Sequence, residues 1–321
     1  MRPPFNITPE VLNLCAEITR VIGQFESLNI PAPQPQLRRQ NRIKTIHSSL
    51  AIEGNRLTKE QVTDIINKKR VVGPKRDIIE VKNAIAVYDS IRSYKTDQLK
   101  SLLKAHRTML AGLTDDAGRL RSRNVGVFKG SKVTHMAPKY QLIPKLINNL
   151  FTFVKSKDNL HPLIKSSVFH YELEFIHPFS DGNGRIGRLW QTTILLTYHP
   201  FFEYIPVESI IRKKQSQYYK ALALSDKAGN STKFIEFMLK VIYQAVQEFF
   251  AEIKPGRQTS KTRIELARDP FKKNAFSRKD YLSLHKTIST ATASRDLLSG
   301  IKQKILKKSG KNALTKYCFV M

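Results

Sequence analysis

The chain has 321 residues, 41% hydrophobic and 25% charged. That is the balance of a globular chain with room for one main domain and one or two smaller ones. Its 55 Lys and Arg against 26 Asp and Glu leave a formal charge of +29, so a polyanion such as nucleic acid, or an acidic protein surface, is the expected kind of partner. There is no uninterrupted apolar run of about 18 residues, so no membrane span is expected. Met1-Arg2-Pro3-Pro4 leads into no apolar signal region, and Cys15 and Cys318 lie at opposite ends without disulfide or metal spacing. A reducing, cytoplasmic setting is the expectation.

Val11, Leu14, Ile18 and Ile22 recur at helical spacing and predict an amphipathic helix, followed by a turn at Pro31, Pro33 and Pro35. Ile43, Ile46, Leu50 and Ala51 predict a second helix that stops at Glu53-Gly54-Asn55, with Gly54 as its C-terminal cap. Thr58-Lys59-Glu60-Gln61 is a capping box that opens the next. Ile78, Val81, Ile85 and Tyr88, then Leu99, Leu102, Leu103 and His106, trace two further helical faces, broken at Gly118-Arg119-Leu120-Arg121. Between Val125 and Pro138, short β-prone runs flank Lys129-Gly130-Ser131-Lys132, the pattern of a β-hairpin. Leu142, Leu146, Asn149 and Leu150 begin another helix.

Next comes His177-Pro178-Phe179-Ser180-Asp181-Gly182-Asn183-Gly184-Arg185-Ile186-Gly187-Arg188. Ile164, Val168, Tyr171 and Phe175 before it, and Ile186, Leu189, Trp190, Thr193 and Leu196 after it, make it a loop between two helices, the second ending before Pro200. The first N–H groups of a helix lack partners and carry the positive end of its dipole, and Gly182, Asn183 and Gly184 allow a phosphate to approach them closely. Arg185 and Arg188, three apart, share one face and can clamp further phosphate oxygens. Asp181 is a hard oxygen ligand suited to Mg²⁺. His177 is the group here that takes a proton near neutral pH. Phe179 is expected to point inward.

Beyond the motif, Tyr218-Tyr219-Lys220-Ala221-Leu222 and then Phe234, Phe237, Met238, Val241 and Phe249 extend a helical core. From about Ile253 the texture changes, and Lys254-Pro255-Gly256-Arg257-Gln258-Thr259-Ser260 is a candidate linker. Ser277-Arg278-Lys279-Asp280 caps a short helix; Thr290 to Gln303 forms another, with Ala291, Leu297, Leu298 and Ile301 apolar. Ile305-Leu306, the basic stretch Lys307-Lys308-Ser309-Gly310-Lys311-Asn312, and Tyr317-Cys318-Phe319 have the form of strand, tight turn and strand.

The motif resembles that of the Fic family, H-x-F-x-(D/E)-G-N-G-R-x-x-R, at every defined position from His177 to Arg188. The resemblance implies a mainly α-helical Fic bundle with a β-hairpin flap, here followed by a module similar to a winged helix-turn-helix. It divides the chain into an N-terminal helical region (1–95), a Fic core (96–252), a linker (253–274) and a winged helix-turn-helix domain (275–321). The implied activity is transfer of AMP from ATP, with Mg²⁺, to a hydroxyl of a target protein. By position His177 is the general base, Asp181 the Mg²⁺ ligand, Gly182, Asn183 and Gly184 the α-phosphate cradle, Arg185 the α/β-phosphate ligand and Arg188 the γ-phosphate ligand. Ile186 and Gly187 complete the nucleotide-binding stretch. The flap, with Val127, Phe128, Lys129 and Gly130, lies at the nucleotide and aligns the target by strand pairing. Tyr219 is placed against adenine, with Asp226 where the family often has Asn. Ser49-Leu50-Ala51-Ile52-Glu53-Gly54 matches the family's inhibitory signature (S/T)-x-x-x-E-(G/N), in which Glu53 pairs with Arg188 and obstructs the γ-phosphate. Ser49 and Gly54 complete that segment. In the winged module Thr292, Ser294 and Arg295 face a DNA groove, and Lys307, Lys308 and Lys311 meet phosphate. The expected partners are an unidentified target protein, a DNA-associated one if the basic tail directs the enzyme, and a second copy in a homodimer. Two alternatives stay open: a hydrolase, or bifunctional enzyme, that removes AMP, and a DNA-binding regulator with a restrained Fic core.

Overall fold

The computed structural model describes residues 2–27, 33–129, 132–253, 259–272, 274–285, 288–310 and 314–320. Gly130 and Lys311 fall outside them, as do the side chains of Val127, Phe128 and Lys129. The chain divides into two compact units, Met1–Glu252 and Ile253–Met321.

The first unit is helical throughout except for one hairpin. In order it contains α1 (Pro9–Ser27), α2 (Pro35–Ile52), α3 (Lys59–Ile66), α4 (Lys75–Asp89), α5 (Leu99–Met109), β1 (Gly126–Lys129), β2 (Lys132–Met136), α6 (Ile143–Lys155), α7 (Pro162–Ile176), α8 (Asn183–Tyr198), α9 (Val207–Lys213), α10 (Gln215–Ala228) and α11 (Thr232–Glu252). Pro35 lies in the first turn of α2, where its missing N–H costs nothing, so it opens a helix instead of closing a turn. The predicted capping box is present: Thr58 accepts from the Gln61 backbone N–H, and the Gln61 side chain accepts from that of Thr58.

α7 and α8 form the centre and are buried on nearly all sides. Trp190 is fully buried between Phe151 and Phe169, and burial of a ring that size contributes on the order of 3 kcal/mol. Gly187 permits the close approach of the two helices, because a Cβ there would sit 3.0 Å from the His170 ring. On α6 the buried face is Ile143, Ile147, Leu150 and Phe151, one position on from the predicted Leu142 and Leu146. The hairpin is antiparallel, Gly126 opposite Met136 and Lys129 opposite Lys132, with a register shift between Val127 and Phe128.

The second unit holds α12 (Ser260–Phe271), α13 (Arg278–Leu284), α14 (Thr290–Lys302), β3 (Leu306–Ser309) and β4 (Lys316–Phe319). β3 and β4 pair antiparallel, and Phe276 bridges to Tyr317. The interval 253–274, read as linker from its Pro and Gly content, contains α12, whose Ile264 and Ala267 join Phe276, Tyr281, Ala293, Leu297 and Leu306 in this unit's core. Thr259 caps α12, and Pro270 is tolerated in its last turn. The buried face of α14 is Ala293, Leu297 and Gly300; Ala291 is exposed and Leu298 is 60% exposed, against the predicted pattern. The shift follows from a buried ion pair, Arg263 of α12 with Asp296 of α14 at 2.5 and 2.7 Å, which fixes α14's rotation. Among the described residues no helix is long and apolar enough to cross a membrane.

Candidate active site

The motif loop joins the C-terminus of α7 to the N-terminus of α8. His177 closes α7 in the left-handed region at φ 49, ψ 59, a conformation costly for a side chain other than glycine and held here by its surroundings. Arg121 does the holding. Its guanidinium is buried and donates to the carbonyls of His177 (2.7 Å), Arg123 (2.7 Å), Pro138 (2.6 Å) and Ile176 (3.4 Å), so one side chain ties the loop to the base of the hairpin. The His177 Nδ1 lies 3.3 Å from the Glu174 carbonyl, which can only accept. Nδ1 therefore carries the proton of the neutral ring, and the lone pair is on Nε2, as a general base requires.

Gly182 caps α8 with φ 83, and a Cβ there would collide with Leu110 at 2.6 Å. Both constraints demand glycine. Ile186 makes the first intrahelical bond, to the Gly182 carbonyl, so the N–H groups of Asn183, Gly184 and Arg185 precede the helical ladder and face the loop. The Asn183 side chain turns into the loop: its Oδ1 accepts from the Phe179 N–H at 3.0 Å and its Nδ2 donates to the Phe179 carbonyl at 2.9 Å. Its backbone N–H stays on the side of the helix start. Phe179 is fully buried as expected, stacked on His106 at 3.7 Å.

His106 sits beneath the loop. Its Nδ1 accepts from the Gly118 N–H at 2.8 Å and its Nε2 lies 3.0 Å from the Asp181 carbonyl, which fixes the neutral Nε2–H tautomer. Burial holds its pKa below the ordinary histidine value. Such a group binds fewer protons folded than unfolded, so its stabilisation is complete above about pH 6.5 and is lost as pH falls below that value. The thermal midpoint is expected to fall between pH 7.5 and pH 5. In His106→Asn, which keeps the Gly118 bond but loses the stack and the Asp181 bond, stability at pH 7.5 falls by about 1–3 kcal/mol and the fall with pH becomes shallower. Parallel pH profiles for the two proteins would show that His106 is not the titrating group.

Both motif arginines turn inward. Arg188 is almost wholly buried; its NH2 meets Glu53 Oε1 at 2.7 Å and the Ser49 carbonyl at 2.9 Å, and its Nε meets Ser49 Oγ at 3.1 Å. Burial disfavours its charge, but the Glu53 carboxylate more than offsets that and raises its pKa above the ordinary arginine value. Glu53 reaches it from the C-terminal end of α2, where Gly54 takes φ 91 and ends the helix. Gly184 leaves room for this pair, because a Cβ at 184 would overlap the Glu53 carboxylate.

Arg185 is held by a second carboxylate that sequence reasoning passed over. Its NH1 lies 3.2 Å from Glu80 Oε1 of α4, and its NH2 lies 2.7 Å from Asp181 Oδ1. Arg76 of α4 approaches Asp181 Oδ2 at 3.0 Å and Glu80 at 3.5 Å, closing a ring of alternating charges. Asn55, immediately after Gly54, donates to Glu80 Oε2 at 2.8 Å. The Arg185 Nε is buried without a partner, which is costly unless an acceptor arrives. These groups border a cavity of about 290 Å³ bounded by Glu53 to Arg56, Arg76, Asp77, Glu80, Asp181 and Arg185. The signal available in the sequence was a pair of acids, Asp77 and Glu80, on the polar side of the Ile78–Val81 face, close after the Ser49–Gly54 segment.

Asp181 bears on the expected Mg²⁺. Burial raises its pKa, but Arg185, the Gly182 N–H and Arg76 outweigh this and hold it below the ordinary carboxylate value. It is thus ionised at neutral pH, and partly exposed. Among the described residues no group of three or more His, Cys, Asp or Glu is arranged to hold a metal. One carboxylate beside a phosphate cradle fits a Mg²⁺ that arrives with the substrate and takes most of its ligands from phosphate and water.

Other predicted positions separate. Ile186 is fully buried and Gly187 packs on α7, so both support the cradle from behind. Tyr218 is buried, its hydroxyl 3.1 Å from His170 Nε2 and 3.3 Å from Glu174. Tyr219 is 41% exposed, its ring 5.3 Å from that of Tyr218, and burial, then the Glu53 charge, raises its pKa. Asp226 accepts from the Tyr171 hydroxyl at 2.8 Å. In the second unit Lys307 and Lys308 are exposed on β3, Arg295 is exposed on α14, Thr292 is half-buried, and Ser294 turns back to the Thr290 carbonyl at 3.0 Å while accepting from Arg278. Ser294 is therefore occupied.

Fold and site together define a helical protein built around an anion-receptive helix start, with a histidine at its mouth and two buried arginines held by carboxylates. Residues 96–195 match the Fic/DOC family. A Fic family protein of known structure from Desulfovibrio desulfuricans is 39% identical, covers all of this chain and 98% of its own, and superposes with a TM-score of 0.74. The chain belongs to the Fic family. Protein adenylyltransferase Fic of Nematostella vectensis is 28% identical over 260 residues, 76% of this chain and 58% of its own length; protein adenylyltransferase fic-1 of Caenorhabditis elegans is 24% identical over 245 residues, 46% of its length. The chain spans about half the length of these relatives.

Proposed function

We propose that the protein transfers AMP from ATP to a hydroxyl of a protein and that Glu53 restrains this activity. The observation that carries the reading is that both motif guanidinium groups, at the start of α8, are held by carboxylates that phosphate oxygens can replace. ATP would lay its α-phosphate on the N–H groups of Asn183, Gly184 and Arg185, with Arg185 on the α/β-phosphates and Arg188 on the γ-phosphate. His177 Nε2 takes the proton of the target hydroxyl while the oxygen forms a bond to the α-phosphorus and the bond to the bridging oxygen breaks. Diphosphate leaves with the negative charge, stabilised by the two arginines. Asp181 would hold Mg²⁺, which supplies further neutralisation of the phosphates. The hairpin presents the target as an added strand.

The Glu53→Gly variant tests this with ATP labelled in the α- or the γ-phosphate. Label retained on protein from the α-position alone supports the reading; retention from the γ-position would make the protein a kinase and sink it.

For the second unit we propose nucleic-acid binding through β3 and the outer face of α14, supported by exposed Arg295, Lys307 and Lys308 and by the overall charge of +29. A duplex of mixed sequence should bind the full chain with affinity that falls steeply with salt. Replacing Lys307 and Lys308 by Glu should lower the slope of log K against log salt by about 1.8, roughly 0.9 for each phosphate that is no longer neutralised. An unchanged slope would point to docking on protein.

A further inference from the structure

α7 ends at Ile176, so the carbonyls of its last turn and of the turn that follows have no intrahelical partner. One residue collects three of them. The Arg121 backbone N–H donates to the Pro178 carbonyl at 2.9 Å, and its guanidinium donates through Nε to the His177 carbonyl at 2.7 Å and through NH2 to that of Ile176 at 3.4 Å. The same guanidinium reaches the hairpin. NH1 donates to the Arg123 carbonyl at 2.7 Å, ahead of β1, and NH2 to the Pro138 carbonyl at 2.6 Å, just past β2. Asn124 fastens that base, its Oδ1 accepting from the Tyr140 N–H at 3.0 Å. Both feet of the hairpin and the backbone of His177 therefore meet on one planar group.

Arg121 differs in kind from Arg185 and Arg188. Those two are met by carboxylates that phosphate can replace. Arg121 is 5% exposed and its partners are main-chain carbonyls, which cannot leave. Among the described residues no carboxylate pairs with it, and burial holds its pKa below the ordinary arginine value. What a buried guanidinium supplies in such a place is its donors, five N–H groups in a rigid plane, more than any other side chain offers. Its charge also faces the negative end of the α7 dipole.

We propose that Arg121 is a positioning residue for the transfer reaction, a rigid link that sets the His177 imidazole relative to a target strand lying on the hairpin. The inference rests on the AMP-transfer reading. Strand pairing would fix where the target hydroxyl stands relative to the hairpin, and Arg121 fixes where His177 stands relative to the same hairpin. The two together determine the distance from the hydroxyl to Nε2. A misplacement of about 1 Å in such a pair costs on the order of 10²-fold in rate. The donors of Arg121 are turned to main chain, so it acts through His177.

The test takes the full-length Glu53→Gly protein as parent and adds Arg121→Lys or Arg121→Met. Lysine keeps the charge but replaces the fork by a point with three donors, and methionine removes the donors. A thermal midpoint above the assay temperature shows that a variant is folded, and Arg121→Lys carries the test if Arg121→Met is not. Ring-nitrogen NMR shifts of labelled histidine, with His177 assigned by its loss in His177→Asn, should show Nδ1–H in the parent and a tautomer mixture in the variants, because the Glu174 contact depends on the loop. Amide exchange over β1 and β2 should quicken about tenfold or more in the same variants. Label transfer from α-labelled ATP should fall by about 10²-fold in Arg121→Met, less in Arg121→Lys. ATP affinity by calorimetry should stay near that of the parent, since Arg185 and Arg188 hang on other partners. Parental histidine shifts or parental exchange in a folded variant overturns the link, which must move at both ends. ATP affinity that falls as far as label transfer also overturns it, since Arg121 would then be a general support of the fold. A parent that transfers no label would refute AMP transfer alone, and the shifts and the exchange would still decide the role of Arg121.

Discussion

Glu53→Gly is expected to raise ATP affinity by about 10–100-fold while lowering the stability of the nucleotide-free protein. The two effects share one cause. The Arg188–Glu53 contact is a charge-assisted hydrogen bond at 2.7 Å with the guanidinium almost fully buried, and such bonds contribute about 1.5–3 kcal/mol. In the proposed pose ATP would have to break it before its γ-phosphate reached Arg188, and each 1.4 kcal/mol of that cost is roughly tenfold in affinity. With the carboxylate gone, Arg188 keeps only its two Ser49 bonds and is left a buried, incompletely compensated charge. The thermal midpoint without nucleotide should therefore drop, and the rise on adding ATP should exceed that of the wild type. Glu53→Gln, which keeps the shape without the charge, should fall between the two. ATP titrations followed by calorimetry decide the matter; equal affinities for wild type and Glu53→Gly would mean that the pair imposes no restraint.

His177→Ala in the Glu53→Gly background should reduce AMP transfer by about 10²–10⁴-fold, the usual share of a general base, with ATP affinity nearly unchanged. The separation follows from geometry. His177 stands at the loop mouth, and the Arg121 guanidinium grips its backbone carbonyl, which the substitution leaves in place. The substitution therefore spares the loop's anchor. Alanine is also disfavoured at φ 49, so His177→Asn, which tolerates the left-handed region better, serves as a second variant with the base removed. Transfer by either variant at the parental rate would refute the role of the imidazole.

The sequence carried the motif, the Ser49–Glu53 signature and the hairpin, because each is a local pattern whose residues are near neighbours in the chain; the pairing of Glu53 with Arg188, 135 residues apart, was legible only through the family resemblance. Gly182, Gly184 and Phe179 could be read for conformation and burial, and Ser49 and Glu53 for their spacing on α2. The second carboxylate was harder to see. Glu80 reaches Arg185 across 105 residues, and nothing in the pattern of α4 distinguishes it from a solvated acid. Arg121 and His106 were hidden for a related reason: both bind backbone groups, which leave no complementary residue to search for. The linker was misjudged because Pro255 and Gly256 outweighed the apolar spacing of Ile264 and Ala267, and only the core of the second unit shows what that spacing serves.

Asn55 follows Glu53 by way of Gly54 and donates to Glu80 of α4, so one turn of chain links the two carboxylates that occupy the motif arginines. A ligand that displaces only one of them leaves the other to hold the turn in place, and the closed arrangement survives. One that engages Arg185 and Arg188 together releases both and meets the conformational cost once. Under the proposed function, nucleotide selection would become a matter of counting phosphates. A triphosphate would span both arginines and draw the closed population over, whereas a monophosphate would face a site whose competent fraction stays small, with its apparent affinity reduced in the same proportion.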